Sequence, residues 1–257
     1  MASENAAIRA IYRYPVKGLS PEGLERSTLT KGQTIEADRL YAIENGASGF
    51  DAAAPNYLPK NRFLMLMRNE RLARLQTRLE VATRRLGIVA EGREVASGDL
   101  GTPEGRTAIE AFFADYCVDE LRGPPKVLHA RGHSFSDVAR KVVSIINLAS
   151  VAAVGSVVGA PVDPLRFRAN LYVAGWPAWH EFSLLGREIA VGATARLKVV
   201  KRIVRCAATN VDPQTGMRDL AIPTALMRAF GHEDCGVYAE VTADGDIAVG
   251  DRMTEDG

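Results

Sequence analysis

The chain has 257 residues, with 32 Lys and Arg against 31 Asp and Glu for a net charge of +1. Hydrophobic residues make up 47% and charged residues 25%, the balance of an ordinary globular protein. No run approaches the roughly 18 apolar residues that span a bilayer, and the charge lacks the basic excess of a nucleic-acid binder. Neither a membrane nor a nucleic acid is therefore expected as a partner. Met1 to Ile11 lacks the basic-then-apolar pattern of a secretory signal. Cys117, Cys206 and Cys235, odd in number and widely spaced, form no disulfide framework and suit a reducing compartment. A cytoplasmic location is the expectation.

Along the chain, Ile8, Ala10, Tyr12 and Tyr14 alternate with Ala7, Arg9, Ile11 and Arg13, which predicts a strand ending at Pro15. Leu24 to Thr30 and Arg39 to Glu44 read as two more strands, with Gly32 turning the chain between them. Asn45 to Arg62, rich in Gly, Ala, Pro and Asn, reads as a long surface loop. Arg71 to Val81 carries both helical and alternating spacing. Its second half is assigned to a strand because Arg84 to Glu91 follows as a hairpin partner.

Three helices are expected. Arg106 to Tyr116 places Ile109, Phe112, Phe113 and Tyr116 on one face. Asn147 to Gly159 is built of small residues, and Pro223 to Phe230 starts on Pro and is followed by Gly231. The remainder reads as short strands at Phe167 to Val173, Glu188 to Val191, Ala195 to Arg205, Gly236 to Val241 and Ile247 to Val249. Many short strands broken by glycine, with few helices, predict a mainly β chain with some α (α+β), organised as a barrel or sandwich.

Cys206 draws attention first. It closes a β-like run beside Arg205 and opens the turn-rich stretch Thr209 to Gly216, where positive charge favours the thiolate. A thiolate is both a nucleophile and a soft-metal ligand, whereas an arbitrary Cys is more often a small packed hydrophobe. His232 with Cys235, and His129 with His133, have spacings a metal could use, but two mixed pairs a hundred residues apart argue for structural roles. Cys117 and Cys235 are accordingly taken as structural. Gly132-His133-Ser134-Phe135-Ser136-Asp137 holds Ser, His and Asp without the geometry that defines a triad. There is no G-x-S-x-G, Walker A or G-x-G-x-x-G motif. Lys17, Arg39, Arg166 and Arg168 are isolated cations on turns, and the last two would share one face of a strand. If they converge near Cys206, they make an anion-binding wall.

Tyr14-Pro15-Val16-Lys17-Gly18, Asp38-Arg39, Arg166-Phe167-Arg168-Ala169-Asn170, Arg205-Cys206-Ala207-Ala208-Thr209, Val211-Asp212-Pro213, Thr215-Gly216 and Gly245-Asp246-Ile247-Ala248-Val249-Gly250-Asp251 occur in that order. Together they resemble a MOSC-domain protein with its N-terminal MOSC-type β-barrel domain, similar to the mitochondrial amidoxime reducing component and its bacterial counterparts. The likeness runs from about residue 8 to 252. It implies a MOSC-type barrel packed with a smaller N-terminal β-rich domain, divided as residues 1–105 and 106–257.

The resemblance also implies a molybdenum cofactor, a pyranopterin whose metal is ligated by the thiolate at the position of Cys206. Lys17, Arg39, Arg168 and Asn170 match positions that hold this cofactor in relatives. Ser144, Asn147 and Ser150 lie where relatives contact its phosphate, at a helix start suited to anions. Thr209 and Asp212 would shape the loop on the cofactor side, with Asp212 also a candidate catalytic residue. His133, Asp137 and Asp212 are candidate proton donors. The implied activity is reduction of N-hydroxylated or N-oxygenated small molecules. The sequence ends at Gly257 without the clustered cysteines of the ferredoxin-like domain some bacterial relatives carry, so a separate electron-donor protein (flavin, haem or iron–sulfur) is expected. The Lys-bearing domain that binds pyridoxal phosphate in eukaryotic cofactor sulfurases has no counterpart, and sulfurase activity is not expected. The alternative from another class is a carrier or relay, with Cys206 holding cofactor or persulfide for delivery. A third reading is a zinc-stabilised binding module using His232 and Cys235.

Overall fold

The alternation read in the sequence becomes a set of short strands in the computed structural model, which describes residues 6–255. In chain order the strands are β1 (Ala7–Arg13), β2 (Glu22–Leu24), β3 (Arg26–Leu29), β4 (Ala42–Asn45), β5 (Gln76–Glu80), β6 (Arg85–Ala90) and β7 (Arg93–Asp99). They continue with β8 (Pro125–Leu128), β9 (Val143–Asn147), β10 (Leu171–Ala174), β11 (Glu188–Val191), β12 (Ala195–Val204), β13 (Asp234–Ala243), β14 (Gly245–Ala248) and β15 (Met253–Glu255). The α-helices are α1 (Pro103–Tyr116), α2 (Leu148–Val158) and α3 (Ile222–Phe230). The architecture is mainly β with some α, as expected.

Eight strands form one curled sheet in the order β15-β11-β12-β13-β9-β10-β1-β2. Its far edge returns to β1: Ile8 N–H donates to the Asp251 carbonyl at 2.9 Å, and Met253 N–H to that of Ala6 at 2.8 Å. The curl buries Ile8, Ile11, Val143, Ile145, Leu171, Val173, Leu197, Val199 and Val237 in one core. Strict alternation would put Ile8 and Ile11 on opposite faces. A register shift between Ile8 and Ala10 against β10 brings both inward. β9 and β10 are parallel, joined by a crossover through α2.

A second core sits under the meander β5-β6-β7, where α1 packs Ile109 and Phe113 against Leu79, Leu86 and Ile88. α1 starts three residues earlier than the apolar spacing predicts, because Thr102 caps it by accepting from Gly105 N–H and Pro103 opens the first turn. The boundary expected after residue 105 falls inside this helix. The first strands also cross over, β1 pairing with β10 and β3 with β14.

Arg71 to Val81 resolves as assigned, a 3-10 turn over Glu70–Arg74 followed by the strand β5. One local reading is corrected: Pro164–Phe167 is a 3-10 turn, and the strand expected from Phe167 starts only at Leu171. Arg166 and Arg168 therefore do not share a strand face: Arg168 leaves the turn in the left-handed region at φ 52°. β7, β8, β9 and β15 had no sequence signal distinct enough to be assigned. No helix among the described residues is long and apolar enough to cross a membrane.

Candidate functional site

Where β12 runs out of the barrel wall, the loops before β4 and β9 and the turn before β10 enclose a cleft of about 270 Å³. Cys206 lies on its wall, extended and partly exposed, while Cys117 and Cys235 are buried. The chain turns at once after it. Thr209 donates both its N–H and its hydroxyl to the Cys206 carbonyl, at 3.0 and 2.9 Å, and so fixes the 3-10 turn Ala207–Asn210. Arg205 turns inward instead of flanking the thiol. Its guanidinium donates to the carbonyls of Cys235 at 2.6 Å and Phe167 at 2.8 Å, tying the strand end to the turn that carries Arg166 and Arg168.

The expected cations do gather here. Arg39 and Arg168 both lie over the buried Tyr14 ring, 4.5 and 4.3 Å from its centroid, and Arg39 donates to the Arg168 carbonyl at 2.9 Å. Asp38 pairs with Arg39 and accepts from the Tyr14 N–H. Arg39 (φ 50°) and Arg168 (φ 52°) both occupy the left-handed region, a conformation that costs a non-glycine residue about 1–2 kcal/mol and persists only where surrounding contacts hold it. Burial pulls the Arg168 pKa down, with Arg39 adding to it. Lys17, 6% exposed, donates to the Phe135 carbonyl and pairs with Asp137. Burial lowers the lysine pKa, and Asp137 partly offsets that. Burial alone would raise Asp137, but Lys17 and then Lys60 outweigh it and hold the carboxyl well below the usual range.

Ser144 and Asn170 also line the cleft, with their polar atoms spent on each other. Ser144 N–H and hydroxyl both donate to Asn170 Oδ1, at 3.0 and 2.8 Å, and Asn170 Nδ2 donates to the Tyr12 carbonyl. The pair thus clamps β9 to β10 and β1 along one wall.

Three expected site residues lie elsewhere. Asn147 caps α2, and with Ser150 it donates to the buried Glu181 carboxylate, at 3.1 and 2.9 Å. The anion slot at the start of α2 is thus filled from within the chain, and neither residue lines the cleft. Asp212 pairs with Arg166 at 3.0 Å and accepts from the N–H groups of Gln214 and Thr215, so it stabilises its own loop. Of the candidate proton donors only Asp137 lines the cleft. His133 packs against Phe50 and Phe135, and burial lowers its pKa. His232 packs among Trp179, Phe182 and Phe230, Cys235 is pushed up to about 12 by burial, and no metal-binding cluster of His, Cys, Asp and Glu occurs among the described residues.

Sequence reasoning missed Lys60, Lys201 and Tyr238, all on the cleft wall. Lys60 belongs to the stretch read as surface loop. Burial lowers its pKa, yet Cys206, then Asp137 and Tyr57, raise it overall. The Lys201-Arg202 pair interrupting an apolar strand was the one signal available.

The cleft is lined by eight Lys and Arg against the two carboxylates of Asp38 and Asp137, and that excess suits an anionic ligand. Arg166 Nε and Arg205 Nη2 are buried without a hydrogen-bond partner among the described residues. A soft thiol within such a wall fits an anionic group carrying a thiophilic metal.

The MOSC N-terminal beta barrel domain family matches residues 5–115, and the MOSC domain family matches residues 130–254. Among solved structures the chain is similar to the YuaD protein from Bacillus subtilis, at 14% identity over 96% of this chain and 93% of that one, with a TM-score of 0.46. It is also similar to YiiM from Geobacillus stearothermophilus, at 19% identity over 45% of this chain and 54% of that one, with a TM-score of 0.35. None of the curated proteins compared with it matches. MOSC domains are associated with molybdenum cofactor binding and with sulfurase-like proteins, and the cleft described above falls across both matched regions. The chain belongs to the MOSC-domain family, an N-terminal MOSC beta barrel domain followed by a MOSC domain.

Proposed function

We propose that this protein is a molybdenum-cofactor-dependent oxidoreductase that reduces N-hydroxylated or N-oxygenated small molecules with electrons from a separate donor protein. The observation that supports it is the convergence of one accessible thiol, Cys206, with Lys17, Arg39, Lys60 and Arg168 in a single cleft, from segments nearly two hundred residues apart in the chain. A bound pyranopterin with its molybdenum supplies two-electron oxygen-atom exchange, chemistry no side chain can perform.

The chain's own residues do the rest. Cys206 offers the soft ligand, and the 3-10 turn pinned by Thr209 holds its carbonyl and so its orientation. Arg39 and Arg168, locked by Tyr14, supply fixed positive charge that requires no rearrangement when an anion arrives. Asp137 stays a carboxylate near neutral pH because Lys17 faces it, so it serves to position Lys17 and does not donate a proton. Tyr238 keeps its phenol proton to about pH 12, through burial and the nearby Asp137 charge, and can hold a hydrogen bond to an oxygen in the cleft.

Molybdenum content by elemental mass spectrometry, in protein from a cofactor-competent host, tests the reading beside Cys206→Ala. Near-stoichiometric metal in the parent, lost in the variant, together with turnover of an N-hydroxylated amidine by reduced viologen, is the expected result. Metal retained in Cys206→Ala overturns the ligand assignment. Metal present without turnover points to a carrier.

A further inference from the structure

One rung of the barrel wall crosses three strands: Lys201 on β12 lies opposite Tyr238 on β13, which lies opposite Ser144 on β9. Side chains on one rung share a face, and all three line the cleft. Lys201 reaches that face through a bulge. Val199 points into the barrel core, so strict alternation would send residue 201 inward as well. The register against β13 instead shifts between Val199 and Lys201, and the extra residue turns the ammonium out to the cleft. Ser144 is consumed by Asn170. The Lys201 ammonium and the Tyr238 hydroxyl are not. Neither has a hydrogen-bond or ion-pair partner among the described residues.

The cleft thus has two kinds of cation. Lys17 and Arg39 are buried or half-buried and committed to Asp137 and Asp38, whereas Lys201 is exposed at the mouth and uncommitted. A lone ammonium beside a phenol hydroxyl matches one negative charge spread over two oxygens. We propose that Lys201 and Tyr238 form a subsite for a carboxylate on the substrate, so that this protein selects carboxylate-bearing molecules. The inference rests on the oxidoreductase reading only for the reactive end of that substrate.

Alkylation of Cys206 in the purified full chain tests it without the cofactor. Cys117 and Cys235 are buried with their thiols pushed up to about 12, which leaves Cys206 as the reacting thiol. The probes are iodoacetate, which carries a carboxylate, and iodoacetamide, its neutral counterpart. The ratio of their rate constants is expected to fall about three-fold in Lys201→Gln and about ten-fold in Lys201→Glu at low salt, as expected for one or two unit charges at the surface. Tyr238→Phe is expected to lower it as well. Lys198→Gln, an exposed lysine of the same strand outside the cleft, is expected to leave it unchanged. A ratio equal to the parent's in both Lys201 variants overturns the proposal. So does loss of molybdenum from Lys201→Gln, which would assign the residue to the cofactor. Failure of the oxidoreductase reading shows separately, as absent metal or turnover in the parent protein with the alkylation ratio still dependent on Lys201.

Discussion

Arg205→Met tests the structural logic of the site. The side chain is 8% exposed, and its guanidinium serves two backbone carbonyls, Cys235 at 2.6 Å and Phe167 at 2.8 Å. Methionine has similar reach and no donor, so both acceptors lose their partner inside the protein. Each buried acceptor left unpaired costs about 1–3 kcal/mol, and part of that is offset because a desolvated charge is removed with the side chain. The net loss is about 3 kcal/mol, which for a chain of this size lowers Tm by about 6–12 °C. The loss has a local consequence too. Arg205 is the tie between the strand end that presents Cys206 and the turn that presents Arg168, so its removal is expected to reduce molybdenum content in cofactor-competent cells. Thermal unfolding followed by circular dichroism, with metal analysis on the same preparation, reads both effects. Arg202→Met serves as the comparison, since Arg202 stacks on Phe182 at 4.4 Å and makes only a 4.0 Å contact with Asp234; its cost is expected to stay within about 1 kcal/mol. An Arg205→Met protein that melts within about 2 °C of the parent and keeps its metal would refute the claim that this guanidinium holds the site together.

Other outcomes follow from the same contacts. Gly236→Ala is expected to destabilise by about 3 kcal/mol or more, because Gly236 has φ 78° and a Cβ there meets the Ile145 carbonyl at 2.5 Å; denaturant unfolding measures it. Ser150→Ala removes a donor to buried Glu181 and the acceptor for Trp179 N–H, so a loss of about 2 kcal/mol is expected, with molybdenum content at the parent's level because the residue lies outside the cleft. Asp137 titrates below the ordinary aspartate range in the folded protein, so its contribution to stability is present above the unfolded pKa and lost as pH falls through the folded value. Asp137→Asn should therefore be less stable than the parent near neutral pH, with the gap closing in acid, as read by Tm against pH.

Local spacing determined a good deal of this protein. The alternation of Ile8 to Tyr14, the apolar face of Ile109 to Tyr116 and the Pro and Gly bracketing α3 each depend on contacts within a few residues, and those elements were legible. Cys206 stood out for a similar reason, being a thiol at a strand end before a run of turn formers. The strand read over Phe167 to Val173 starts only at Leu171, because Arg168 adopts a left-handed conformation held by contacts with Leu19 and Tyr14, about 150 residues away in sequence. Tertiary packing alone decided that Asn147 and Ser150 serve Glu181, since a helix start attracts any anion and the chain supplies its own. It alone placed Lys60, from an apparent surface loop, beside Cys206. The bulge that turns Lys201 to the cleft was equally hidden, because a one-residue register shift is set by the partner strand and leaves no mark in the strand's own sequence. Which residues form strands and helices followed from neighbours along the chain; which of them share a cleft followed from how the barrel closes.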